Sequence, residues 1–125
     1  MAKTSQKLAL RRRRKRRIRT RMAGTPERPR VSVFRSARHV YAQVVDDGAG
    51  TTLASASSAA AELPALAEGV ELSGKRAKAF QVGLLVAERC KAAGIERIVF
   101  DRNGFLYHGR VRSLAEGIRH GGIEF

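Results

Sequence analysis

The sequence predicts an α/β (α+β) protein: a mixed four-stranded sheet of order 3-2-1-4, built β-β-β-α-β-α, with its helices packed on the sheet and a basic N-terminal tail. Three observations predict it. Apolar residues alternate through Val31–Val44 and again in Thr51–Ser57, the period of half-buried strands. A long apolar helical stretch, Gly74–Ala93, then leads to the short Ile/Val run Ile95–Phe100, and a strand reached through a helix is usually parallel to its neighbour. The first 22 residues hold eleven Lys/Arg and no Asp/Glu. Like charges repel there, and little apolar surface offsets the ordering entropy.

Taken in order, Met1–Met22 is rich in helix formers, with neither Gly nor Pro. It is expected to be disordered when free and helical when bound. Gly24, Pro26 and Pro29 mark a linker. Residues 1–28 are thus read as a basic extension and linker, and 29–125 as a single α/β domain. Val31–Asp46 reads as a β-hairpin. A turn centred on Ser36-Ala37 pairs Arg35 with Arg38, Phe34 with His39, Val33 with Val40 and Ser32 with Tyr41. One face then holds Val31, Val33, Val40, Ala42 and Val44, which is core. The other holds Ser32, Phe34, His39, Tyr41 and Gln43. Asp46-Asp47-Gly48-Ala49-Gly50 is a turn, and Thr51–Ser57 is a third strand, antiparallel to the second. The Ala-rich stretch 58–72 reads as a loop with room for one helical turn. Ser73 is placed to cap the first domain helix and Gly94 to end it. Ala77, Phe80, Leu84 and Ala87 form its stripe, widened by Val82, Leu85, Val86 and Cys90. Ile95–Phe100 is a buried strand, and Asp101–Gly104 a turn. Gly109–His120 is a second helix, with Val111, Leu114, Ala115 and Ile118 at helical spacing. Gly121-Gly122 stops it, and Ile123–Phe125 docks as an end segment.

The charge distribution narrows the function. Of the formal net charge of +14, residues 1–39 carry all: fifteen Lys/Arg against Glu27, while 40–125 balance at ten and ten. Charge concentrated at one end reads as a nucleic-acid footprint. The single cysteine excludes an intrachain disulfide and a cysteine-rich zinc site, and fits a reducing compartment. No apolar run approaches a membrane span, and no signal peptide is visible. An Arg-rich transit peptide is the competing reading of the N-terminus, but its arginines are contiguous rather than spaced around an amphipathic helix.

Arg11, Arg12, Arg13, Arg14, Lys15, Arg16, Arg17, Arg19 and Arg21 suit phosphate contacts, since guanidinium forks match phosphate oxygens. Such contacts give affinity without sequence choice. The hairpin can supply choice: Phe34, His39 and Tyr41 can stack on unpaired bases, with Arg35 and Arg38 beside them. That pattern favours RNA. The bland alternative is that a helix covers Phe34 and Tyr41. A second constellation runs from Asp101 to Arg110. There Gly109 lets a backbone approach closely, the free N–H groups of the helix start favour an anion, and Tyr107, His108 and Arg110 add donors and a stacking face. Its alternative is a satisfied turn, with Asp101 capping or pairing Arg102. Catalysis is weakly supported. Nucleases with a sheet of this order need several carboxylates around metal, and Asp46 and Asp47 look like turn formers. His39, His108 and His120 lack metal-ligand spacing, and no nucleophile elbow or Walker loop is present. Cys90 sits among apolar neighbours and reads as packing. No catalytic residue, metal, cofactor or small-molecule substrate is expected. The remaining rival is a non-specific, DNA-compacting basic protein.

At these residues the chain resembles a family, bacterial large ribosomal subunit protein eighteen, which binds 5S rRNA. The likeness is carried by the Arg-rich N-terminus ending in Gly24–Arg30, by the hairpin Val33–Val44, by Phe100–Gly104, and by Tyr107–Val111 with the terminal Gly121–Phe125. The resemblance implies a three-layer fold and a cytoplasmic, ribosomal location in the central protuberance. There the family binds 5S rRNA and helps attach it to 23S rRNA, beside other 5S-binding proteins. It also implies RNA contacts at the N-terminal arginines, at Arg30, along the hairpin including Ser36 and Gln43, and in the loop from Arg102 and Asn103 to Arg110. The Ala-rich stretch 58–72 departs from the pattern.

Overall fold

The computed structural model describes residues 2–19, 24–25, 27–59, 63–66 and 69–125. Its elements are α1 (Ala2–Arg19), β1 (Arg30–Arg35), β2 (Val40–Asp46), β3 (Thr51–Ser57), α2 (Gly74–Ala92), β4 (Val99–Asp101) and α3 (Gly109–His120). The sheet order is β3-β2-β1-β4, antiparallel except for the parallel β1–β4 pair, as predicted.

The hairpin register differs from the expected one. Phe34 lies opposite Tyr41 and Arg35 opposite Val40, so the turn centres on Ala37-Arg38. Ser36 is the reason. Its N–H donates to the His39 carbonyl at 2.8 Å and its Oγ accepts the His39 N–H at 3.2 Å. That closes the corner one residue later. The pairing moves by two residues, so side-chain parity survives: Val31, Val33, Val40, Ala42 and Val44 are all buried.

These valines meet α2 and α3, which lie side by side over that one face and share a core with Ile98, Leu114 and Ile118. Burying each such side chain contributes roughly 1.5–3 kcal/mol. The opposite face, with Ser32, Phe34, Tyr41 and Gln43, carries no domain helix, and Phe34 and Tyr41 are exposed. The domain therefore has two layers, not the three that the resemblance implies.

Both helices end in the same way. Gly94 takes φ +77°, its N–H bonds the Lys91 carbonyl, and Ile95 N–H bonds that of Cys90 at 2.8 Å. Gly122 (φ +93°) repeats the pattern with Arg119, and Ile123 with Ile118. These reversed turns satisfy carbonyls the helices leave open. At the start of α2, Ser73 occupies the capping position without making the side-chain bond. The strand predicted over Ile95–Phe100 is split between two partners. Val99 N–H bonds the Pro29 carbonyl beside β1, whereas Ile98 N–H bonds Glu124 of the C-terminal segment. Phe125 stacks on Phe100 at 5.5 Å between centroids. The described residues of 58–72 form a loop, tied to α2 by a bond from Gln81 to the Pro64 carbonyl.

Candidate nucleic-acid interface

Ala2–Arg19 is one helix, the conformation expected of this segment when bound. Spacing explains how it is held. Arg11 and Arg14 lie three residues apart on one helix face and both reach the turn after β4. Arg11 Nε donates to the Asn103 carbonyl at 3.3 Å and Arg14 Nε to the Gly104 carbonyl at 2.8 Å. The Arg11 guanidinium also lies over the Phe105 ring at 4.1 Å and near Phe34 at 5.7 Å, an arrangement that favours the cation. Gly104 permits the approach: at φ +78°, a Cβ there would collide with the Arg11 carbonyl. Arg12 and Arg13 point outward and are exposed. Arg21 lies outside the described residues, as do the side chains of Lys15, Arg16, Arg17 and Arg19.

Beside α1, the open sheet face forms a groove of about 510 Å³ lined by Ser32, Phe34, Ser36, Tyr41, Gln43 and Asn103. Phe34 is 45% and Tyr41 37% exposed, so their rings are presented to solvent rather than covered. They are cross-strand partners with centroids 6.2 Å apart. Phe105 lies 5.9 Å from Phe34, under the Arg35 guanidinium at 5.1 Å. His39 packs edge-on to Tyr41, and its Nδ1 is 3.0 Å from the Ser58 hydroxyl. Arg38 is exposed at the hairpin tip. This is a set of stacking surfaces with cations at the edge, suited to unpaired bases.

The loop after β4 is divided. Asn103 holds φ +54° in the turn, with its N–H on Asp101 Oδ1 at 2.8 Å. Arg102 is half-buried and its carbonyl accepts the Phe105 N–H. Tyr107 turns away from the groove toward Phe100, ring edge to face at 6.3 Å, and its OH lies 3.5 Å from Arg119. His108, Gly109 and Arg110 lie instead at the junction of α2 and α3, with Arg35. Among the described residues nothing lies within 4 Å of a Cβ placed on Gly109, and its φ of +54° favours glycine there.

Arg30 is the clearest departure. Expected to contact RNA, it faces Asp47 and Asp101. Its Nε and Nη2 bond the two oxygens of Asp47 at 3.0 Å each, and Nη1 bonds Asp101 Oδ2 at 2.7 Å. The Asp47 bond, and then Asp101, hold its pKa above the ordinary value against the opposing effect of burial. Asp47 also accepts the Gly24 N–H at 2.6 Å, which fastens the linker to the domain. Asp101 therefore pairs with Arg30, not with Arg102. The carboxylates considered for metal chemistry have structural work: Asp46 accepts the N–H groups of Gly48 and Ala49 in its turn.

Two cations were not anticipated, Lys75 and Arg76 in the first turn of α2. A signal existed. Positive side chains at a helix start oppose the helix dipole, and no acid accompanies them.

Cys90 is fully buried, and burial pushes its thiol up to about 11 from 9.0. An unfolded chain loses this proton first. The group's contribution to stability is therefore intact below about pH 9 and is lost as pH rises toward 11. Cys90→Ala should remove that part of the alkaline loss. Urea midpoints of the two proteins at about pH 8 and about pH 11 check this; equal losses would contradict it.

Comparison with known proteins adds an independent finding. Residues 5–125 match the family model for ribosomal L18 of archaea, bacteria, mitochondria and chloroplast. The chain is 51% identical to large ribosomal subunit protein uL18 of Desulfosudis oleivorans over 127 aligned positions, covering 100% of both chains. It is 56% identical to the protein of that name from Herpetosiphon aurantiacus, covering 93% of each. With that of Synechococcus elongatus it shares 54% identity over 91% of this chain and 92% of the other.

Proposed function

The chain belongs to the ribosomal L18 family, a structural constituent of the large subunit rather than an enzyme, and from that premise we propose that it binds 5S rRNA and helps attach it to 23S rRNA in the central protuberance. Its partners as a large-subunit protein are rRNA and ribosomal proteins. The finer assignment gives it 5S rRNA, 23S rRNA and the neighbouring 5S-binding proteins. In this reading residues 1–28 are the basic extension and 29–125 the domain that recognises RNA shape.

The observation that carries the reading is the exposed pair Phe34 and Tyr41 beside Arg11 and Arg35. A sheet face left without a helix, with two rings presented to solvent, loses apolar burial that the domain could have had. Stacking of bases recovers it. Arg12, Arg13 and the following basic residues of α1 then track phosphates, while Arg11 and Arg14 fix the helix to the domain.

Phe34→Ala and Tyr41→Ala are expected each to weaken binding to 5S rRNA by roughly 1–3 kcal/mol if bases stack there, with little change in thermal midpoint. Filter binding and melting curves on the same preparations check this. Affinity independent of both rings would favour a non-specific, DNA-compacting protein instead.

A further inference from the structure

We propose that the first turns of α2 and α3, with Arg35, form a seat for one backbone phosphate of the bound RNA; this deepens the function proposed above and rests on it. Arg35, Lys75, Arg76, His108, Gly109 and Arg110 line a depression of about 300 Å³ where the hairpin tip meets the two helices.

Several features call for an anion there. Four of the lining residues are cations, Arg35, Lys75, Arg76 and Arg110, and among the described residues no carboxylate lines the depression. Arg110 Nη1 is buried and has no hydrogen-bond partner. Burial and the neighbouring Arg35 hold the Arg110 pKa below its ordinary value. A buried donor on a charged group without an acceptor is costly, and a phosphate oxygen supplies the acceptor. Both helices also begin without help. Neither Ser73 nor His108 makes a side-chain cap bond, and neither first turn contains an acid. Gly74 and Gly109, at φ +60° and +54°, open on clear space. Residues of two helix starts thus line one cationic depression, and a helix start is a favourable place for an anion. Lys75 Nζ donates to the Ala37 carbonyl at 2.7 Å and so holds the hairpin tip against α2. No Phe, Tyr or Trp ring lines the depression, so it reads charge and not base identity.

The test uses full-length Arg110→Gln and Arg76→Gln with 5S rRNA and an unrelated RNA of equal length, between about 50 and 200 mM salt. Thermal midpoints are measured alongside. Each variant should bind both RNAs about tenfold more weakly, as for one lost charge-assisted contact. Each should flatten the log–log salt slope by about 0.7–0.9. The midpoint of Arg110→Gln should stay level or rise, because an unpaired, partly buried cation has gone. Wild-type affinity and slope in both variants would overturn the seat. A lower midpoint for Arg110→Gln with an unchanged slope would also overturn it, making Arg110 a packing residue. If the wild-type chain does not distinguish the two RNAs, the 5S assignment fails by itself, and the slopes still decide the seat.

Discussion

Replacing Arg30 with alanine is expected to destabilise the domain by about 3–5 kcal/mol. The guanidinium is 12% exposed and Asp101 fully buried. Without Arg30, the Asp101 carboxylate keeps its bond from the Asn103 N–H but loses the guanidinium that lies 2.7 Å away. Removing one member of a buried ion pair costs far more than the intact pair contributes. The same change removes the two Arg30 bonds to Asp47, which holds Gly24 and so the entry of the chain into β1. For a domain near 100 residues the thermal midpoint should fall by at least about 12 °C. Arg30→Met combined with Asp47→Asn and Asp101→Asn removes all three charges and should recover part of the loss. A variant that kept its midpoint but lost RNA affinity would return Arg30 to the interface.

Gly117→Ala should also destabilise the domain, by up to about 2 kcal/mol net. Alanine in a helix interior gains about 1 kcal/mol over glycine. Here packing overrules propensity. A Cβ on Gly117 would collide with the Phe80 carbonyl and lie 3.1 Å from Gly83 Cα; one on Gly83 would strike the Leu114 carbonyl. The neighbours are backbone, which cannot rotate away, so α2 and α3 must separate and open the core around Val86 and Ile118. Overpacking of this kind costs about 1–3 kcal/mol, occasionally more. Gly83→Ala should match it, and the double variant should cost less than the sum because one helix separation serves both. A wild-type urea midpoint in either single variant would contradict this packing.

These two sites show where the sequence is opaque. The buried valines follow from period-2 alternation, which depends on neighbouring residues alone, and the sheet order follows from the hairpin and the helical connection to a parallel strand. They survived a turn misplaced by one residue, because a pairing shift of two leaves each side chain on its face. The turn sits one residue later because the Ser36 hydroxyl accepts the His39 N–H while the Ser36 N–H bonds the His39 carbonyl. Arg30 reads as one more cation in a basic run, since Asp47 and Asp101 lie 17 and 71 residues away. Gly83 and Gly117 look like weak points in two helices until the helices are placed against each other. The candidate interface divides in the same way. Phe34 and Tyr41 were legible from alternation. The turn of Tyr107 toward Phe100, and the meeting of Arg76 with Arg110, depend on tertiary packing that no local pattern carries.

The measurement that tests the central claim most directly is competition binding at about 150 mM salt, with 5S rRNA, an unrelated RNA of equal length and duplex DNA as competitors. The full chain should prefer 5S rRNA. If about eight phosphates are neutralised, its affinity should follow a log–log salt slope of roughly −6 to −7. Removing residues 1–22 should flatten the slope and weaken binding while keeping part of the preference, because Phe34, Tyr41 and the loop after β4 remain. Equal binding to all three nucleic acids, lost entirely with residues 1–22, would contradict the account and leave the arginine block as the binding element.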